Sequence, residues 1–319
     1  MKPHFLQSPA WEAYQKLEGK TTFRLHGDAY DALAILENTP VGNYLYCPYG
    51  PTLAEPTTQN LALALSALRG LATQHHAIFI RLEPTFPLAD PAALHLQKSH
   101  DLDPAHTWTL DLTQPESDLF ANMEKEKARL WRNHAKKGIF IRQTKDPAEI
   151  SILTNLLAGV GSRNHFIPQS ATHLQNQLKS GFATLYIAEL DPHTLPVDDQ
   201  QLAQPIPIAA SLVYDYAGVR YYAHAAADQV HRKLVAGTIL LVQMIVDAKA
   251  AGQTTFDFWG ITTSSDPHHP WYGFTQYKKS FGGHQVDYAG TWDLPLHPVR
   301  YRLYQALRTT NRLRRKLRH

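Results

Sequence analysis

Apolar and polar positions along the chain sort into strand-like and helix-like stretches, and their order repeats. Residues 42–53, GNYLYCPYGPTL, form an apolar run that stops at a proline- and glycine-rich turn, as a strand does. Residues 57–74, TTQNLALALSALRGLATQ, carry helical periodicity behind a threonine cap. HAIFIRLEP, 76–84, reads as a buried strand ended by proline. The same order returns downstream. GVRYYAHAA (218–226) predicts a strand, VHRKLVAGTILLVQMIVDAKAAG (230–252) a helix ending at Gly252, and TTFDFWG (254–260) a strand. Two strand–helix–strand units suggest a duplicated α/β domain.

Between the units, SDLFANMEKEKARLWRNHAKKG (117–138) predicts one helix, capped by Ser117 or Asp118 and ended by Gly138. IFIRQ (139–143) follows as a strand. Strands at 182–190, 207–215 and 219–224 predict a hairpin set, and the Pro- and Asp-rich stretch 191–205 a surface loop. HQVDYAGTWDL (284–294) reads as one final strand, and Pro298 opens a terminal helix. The expected class is α/β (α+β): two tandem domains of similar topology with mixed sheets. The first comprises 1–140 plus 297–319 with the terminal helix returning to it; the second is 141–296.

Composition narrows the class. With 319 residues, 44% hydrophobic and 18% charged, the chain can fill two cores. No apolar run reaches membrane-spanning length, and MKPHFLQSPAWEAYQK lacks the apolar stretch of a secretory signal. The single cysteine, Cys47, fits a reducing cytoplasm and a core role. The net charge of +3 conceals an asymmetry. Residues 300–319 hold eight of the 31 basic side chains and no acid, while the other 23 are outnumbered by 28 acidic ones. Such a tail suits a polyanion: tRNA, a nucleotide or an anionic membrane surface. Leu303, Leu307, Leu313 and Leu317 fall on one helical face, which predicts a helix docked through its leucines.

Several chemistries lack their motifs. No H-E-x-x-H, cysteine pair, G-x-S-x-G, G-x-G-x-x-G or Walker A loop is present, and His268-His269 are adjacent, a poor arrangement for one ion. No metal or cofactor is expected. The run before the second crossover helix, AAADQVHRKLVAG (225–237), has no glycine before Gly237 and carries His231, Arg232 and Lys233. That argues against the backbone cradle that acyl-CoA requires. The remaining cluster lies at 257–283: Trp259-Gly260, Trp271-Tyr272-Gly273 and YKKSFGG, with Lys278 and Lys279 among rings and glycines.

In this stretch the chain resembles the FemABX transferases, through DFWGI (257–261), YGFTQYKKSFGG (272–283) and YAGTWDLPLHPVRYRLY (288–304). FLQSPAWEAYQK (5–16), YCPYGP (46–51), IFIRLEP (78–84), ARLWRNHAKKGIFIR (128–142) and GSRNHF (161–166) agree in order. The resemblance implies two GNAT-like domains with a cleft between them, in a compact member without a coiled-coil arm. It implies an aminoacyltransferase that moves an amino acid from aminoacyl-tRNA to an amine of the peptidoglycan stem peptide. The acceptor would be a peptidoglycan precursor, lipid II or UDP-MurNAc-pentapeptide, and the location cytoplasmic or peripheral at the inner face of the membrane.

An ester attacked by an amine passes through an oxyanion, which an ammonium stabilises. The family's aromatic-Lys pair matches Tyr277-Lys278, so Lys278 is the expected catalytic residue, with Lys279 the competing choice. The bland reading leaves both lysines solvated on a surface turn. Trp259 and Tyr277 would offer stacking surfaces to a terminal adenosine. Lys16, Arg163, Tyr221 and Arg232 are candidates for binding substrate, Lys16 and the arginines through its phosphates. No side chain stands out as a base. Two alternatives stay open: a GNAT-fold N-acyltransferase using acyl-CoA or an acyl carrier in envelope or exopolysaccharide synthesis, and a non-catalytic RNA- or membrane-binding protein using the basic tail.

Overall fold

The computed structural model describes residues 3–164, 169–194 and 204–316, without the side chains of 160–164 and 311–316. The chain forms two compact units, 1–105 with 287–319, and 106–286. The expected boundaries at 140/141 and 296/297 lie elsewhere than these divisions, for a reason visible in the strand pairing below.

The first unit opens with α1 (Pro9–Leu17), capped by Ser8 Oγ on the Trp11 amide. Its sheet contains β1 (Thr21–Gly27), β2 (Tyr30–Thr39), β3 (Gly42–Cys47), β5 (Ala77–Leu82), β14 (Trp292–Pro295) and β6 (Gln97–Lys98) in that order, with the short β4 (Thr52–Leu53) beside β2. β3 and β5 run parallel because α2 (Thr58–Gln74) carries the chain across between them. Thr57 caps α2, as its sequence predicts. Leu61, Ala64, Leu65, Leu68 and Ala72 on α2 are buried in one core with Ala34, Leu45, Ile80 and Leu82. Cys47 is buried in that core.

α9 (Pro298–Lys316) returns to this unit, as expected, but by a different face. Tyr301 and Tyr304 pack on Phe79 of β5, with ring centroids 5.2 and 4.8 Å apart. Leu303 and Leu307, predicted to dock the helix, face outward at 52% and 41% exposure. Tyrosines replace them because a buried polar layer lies beneath. Arg81 makes a bidentate ion pair with Asp293 at 2.7 Å, Tyr301 Oη donates to Asp293, and Arg81 donates to Tyr304 Oη.

The second unit repeats the plan. Its sheet order is β13 (His284–Asp287), β7 (His106–Asp111), β12 (Thr255–Gly260), β11 (Val219–Ala227), β10 (Ile206–Tyr216), β9 (Ala183–Leu190) and β8 (Ile139–Thr144). Here α7 (Ala236–Ala250) crosses between parallel β11 and β12. In each sheet the strand after the crossover is flanked by an antiparallel neighbour distant in sequence: β14 beside β5, β7 beside β12. That distant pairing moves the boundary. Residues 106–111 follow the first unit's strands in sequence yet bond to Thr255, Phe256 and Asp257. It also divides the expected strand 284–294 into β13 and β14, one in each sheet.

Two predicted helices are shorter than expected. Residues 117–138 break into α3 (Glu116–Asn122) and α4 (Lys125–Arg132) around an extended Met123, whose side chain is buried in the core while the Glu124 amide donates to Ser280 O. Neither Ser117 nor Asp118 caps α3. The helix expected from 230 starts only at Ala236, after Val235 takes a left-handed conformation with φ 56°. α5 (Ile150–Asn164) and α6 (Ala171–Lys179) complete the unit, with α8 (Tyr272–Lys279). The loop expected at 191–205 falls largely outside the described residues.

Candidate active site

The second unit concentrates the predicted residues around β12 and α8. Lys278 is on no surface turn: it occupies the last turn of α8 and is 3% exposed. Its Nζ donates to Gly260 O at 2.6 Å and lies 4.2 Å from the Phe274 ring centroid. An ammonium has three protons, so this bond leaves two. Burial lowers the Lys278 pKa to about 7, and the carboxylate of Asp257 opposes the shift.

The Gly260 carbonyl is aimed by the backbone before it. β12 bulges between Asp257 and Gly260, and Trp259 adopts φ 64°, which a bulky residue rarely accepts. Asp257 holds this turn. Its Oδ1 accepts the Trp259 amide at 2.7 Å and the Thr107 hydroxyl. Asp257 is buried, and desolvation raises its pKa to about 6. Trp259 meets Tyr221 of β11 edge-on, with ring centroids 5.7 Å apart. Tyr221 is buried, so it reaches a ligand only through that ring contact or a rearrangement.

Tyr277 points to the other side of α8. Its hydroxyl pairs with Thr238 Oγ1 at 3.2 Å, and burial raises its pKa to about 12. With Arg232, Ala236, Gly237 and Thr238, Tyr277 lines a cavity of about 220 Å³ at the N-terminus of α7. No side chain caps that terminus, so its first amides and the helix dipole suit an anion. Asp228, paired to His231 at 2.6 Å, lies on the same rim. Lys279 is half-buried with Nζ 5.3 Å from the Trp108 ring centroid.

Two candidates lie apart from this group. Lys16 belongs to the first unit, where it is exposed and paired to Glu12 at 2.8 Å. Arg163 lies near the end of α5, and its side chain is outside the described residues. Sequence reasoning missed Asp257 although it stands inside the DFWGI motif, because a carboxylate between two phenylalanines carries no spacing signal. It also missed Lys127, buried with Nζ 4.9 Å from the Phe281 ring centroid. In the first unit it missed Tyr46, whose hydroxyl contacts both Glu83 at 2.6 Å and Asp103 at 2.7 Å. A hydroxyl has one proton to donate, so that arrangement needs a second proton on a carboxyl. Burial and the neighbouring Glu83 carboxylate accordingly push the Asp103 carboxyl above the usual carboxylate range. Among the described residues no group of three or more His, Cys, Asp or Glu is placed to hold a metal.

Residues 193–309 match the FemAB family. The fold is similar to that of FemX, with a TM-score of 0.82 at 17% identity over 94% of each chain. It is similar at lower score to L-PGS from Bacillus licheniformis, with a TM-score of 0.56 at 9% identity, covering 98% of this chain and 99% of that one. No curated protein matches the sequence. The resemblance drawn from the motifs is thus borne out by family sequence over 193–309 and by fold over nearly the whole chain.

Proposed function

We propose, from the FemAB-family sequence at 193–309 and the FemX-like fold, that this chain is an aminoacyltransferase. It moves an amino acid from aminoacyl-tRNA to an amine of a peptidoglycan precursor, lipid II or UDP-MurNAc-pentapeptide. The observation that carries the reading is the buried Lys278 ammonium, tethered by one proton to Gly260 O with two to spare. A lysine that gives up hydration is rarely left without a partner or a task.

In the reaction the acceptor nitrogen attacks the ester carbonyl, whose π electrons move to oxygen. Lys278 donates to that oxyanion. Collapse re-forms the carbonyl, breaks the ester C–O bond and returns the ribose hydroxyl of the tRNA, while the nitrogen loses a proton. Gly260 and Asp257 position the ammonium. The cavity at α7 receives the end of the donor, with its phosphates toward the α7 amides and Arg232 and with Tyr277 as a ring surface, while Trp259 stands beside Tyr221 as a separate candidate stacking surface. Lys279, beside Trp108, and Tyr221, against Trp259, remain candidate substrate contacts, and Lys16 and Arg163 the candidate contacts for acceptor phosphates.

The same cavity suits the phosphates of acyl-CoA, which keeps a second reading in view. Purified protein given charged tRNA or acyl-CoA in parallel, with stem-peptide acceptors analysed by mass spectrometry, separates them. Aminoacylated acceptor from tRNA alone is expected; acylated acceptor from acyl-CoA alone would replace the reading.

A further inference from the structure

α9 has two faces with opposite fates. Tyr301 is buried and Tyr304 partly buried against Phe79, so that side belongs to the first unit's core. On the opposite side Val299, Leu303 and Leu307, spaced i, i+4 and i+8, are 82%, 52% and 41% exposed. One exposed leucine is ordinary, whereas three in helical register form a stripe. Arg300 and Arg302 are exposed on its two flanks. The sequence continues with Leu313, Leu317 and five further cations at 312–318, and no acid occurs from 298 to 319.

We propose that α9 docks this protein in the plane of an anionic lipid surface, with Val299, Leu303 and Leu307 among the acyl chains and Arg300 and Arg302 at the headgroups. An apolar stripe bordered by cations is the pattern of interfacial helices, in which aliphatic burial and headgroup attraction act together. RNA is the weaker occupant, because phosphates and bases call for cations and rings and gain nothing from aliphatic side chains. A second copy is weaker too, since a two-fold contact through this stripe would set the flanking arginines of both copies against each other. The docking is independent of the transfer reaction.

Full-length protein should co-sediment with vesicles of mixed phosphatidylglycerol and phosphatidylcholine and not with phosphatidylcholine alone. Leu303→Ser/Leu307→Ser removes aliphatic area without changing charge and should weaken partitioning by at least about tenfold. Arg300→Gln/Arg302→Gln should weaken it by a smaller factor that shrinks with added salt. Both variants alter exposed positions, so their melting temperatures should match wild type. Wild-type protein that ignores the anionic vesicles overturns the proposal. So does partitioning indifferent to the serine variant, or an arginine-dependent retention on bulk tRNA with no vesicle binding, which would assign the helix to RNA.

Discussion

Lys278 illustrates how far one residue could be read. Its placement after an aromatic residue was legible, but its burial was not, because a lysine in sequence looks like solvent-facing charge. Only the tertiary context of the Gly260 carbonyl and Asp257 makes the buried position tenable. That context has a cost in stability with a definite sign. Folding lowers the Lys278 pKa from the ordinary lysine value to about 7, so between about pH 7 and 10 the unfolded chain binds the extra proton. Stability contributed at this position therefore rises with pH through that window. Lys278→Met should raise Tm more at pH 6 than at pH 10, with a difference of up to about 4 kcal/mol in unfolding free energy; an equal effect at both pH values would mean the lysine titrates normally. Asp257 acts through Lys278. Asp257→Asn keeps an oxygen for the Trp259 amide and Thr107 but removes the counter-charge, so the descending limb of the pH–rate profile should move to lower pH. A variant that only loses stability would leave that limb in place.

At the scale of elements, local chemistry was legible and its interruptions were not. Thr57 announces α2, and the strand-like stretches at 182–190, 207–215 and 219–224 announce β9 to β11. The break between α3 and α4 follows from Met123 entering the core and from the Glu124 amide reaching Ser280 O, contacts that no window of sequence contains. The docking face of α9 was misread for a related reason: leucines usually mark the buried side, but here tyrosines reach a buried ion pair. Glycines near the site divide the same way. Gly283 has φ 95°, and a Cβ there would overlap the backbone carbonyl of Thr109, whereas Gly273 in α8 has open space. Gly283→Ala should cost about 2–4 kcal/mol, while Gly273→Ala should be neutral or stabilise by about 0.5–1 kcal/mol, both read by denaturant unfolding. Comparable losses at both would mean the β7–β13 approach is not the constraint.

At the scale of the molecule, the repeated strand–helix–strand order was readable, and it supported two α/β units with mixed sheets. The strands completing each sheet were not readable, because β7 and β14 pair with partners far away in sequence and such pairing leaves no local signal. Arg81 and Asp293 fasten one of these pairings and are each 1% exposed. Arg81→Met strands a buried carboxylate and should cost about 3–5 kcal/mol, and Asp293→Leu in the same chain should recover much of it. Thermal unfolding of the three variants tests this; additive losses would contradict a coupled pair.

The central claim is that the Lys278 ammonium stabilises the oxyanion of aminoacyl transfer, and single-turnover transfer from charged tRNA to a stem-peptide acceptor measures it most directly. Lys278→Ala should slow transfer by about two to three orders of magnitude while donor binding and the far-ultraviolet circular dichroism stay unchanged. Lys278→Arg should restore part of the rate and abolish the loss of activity as pH rises through about 7, because a guanidinium stays charged. A Lys278→Ala enzyme that folds and transfers at the wild-type rate would contradict the account, whichever lysine or cavity is then invoked.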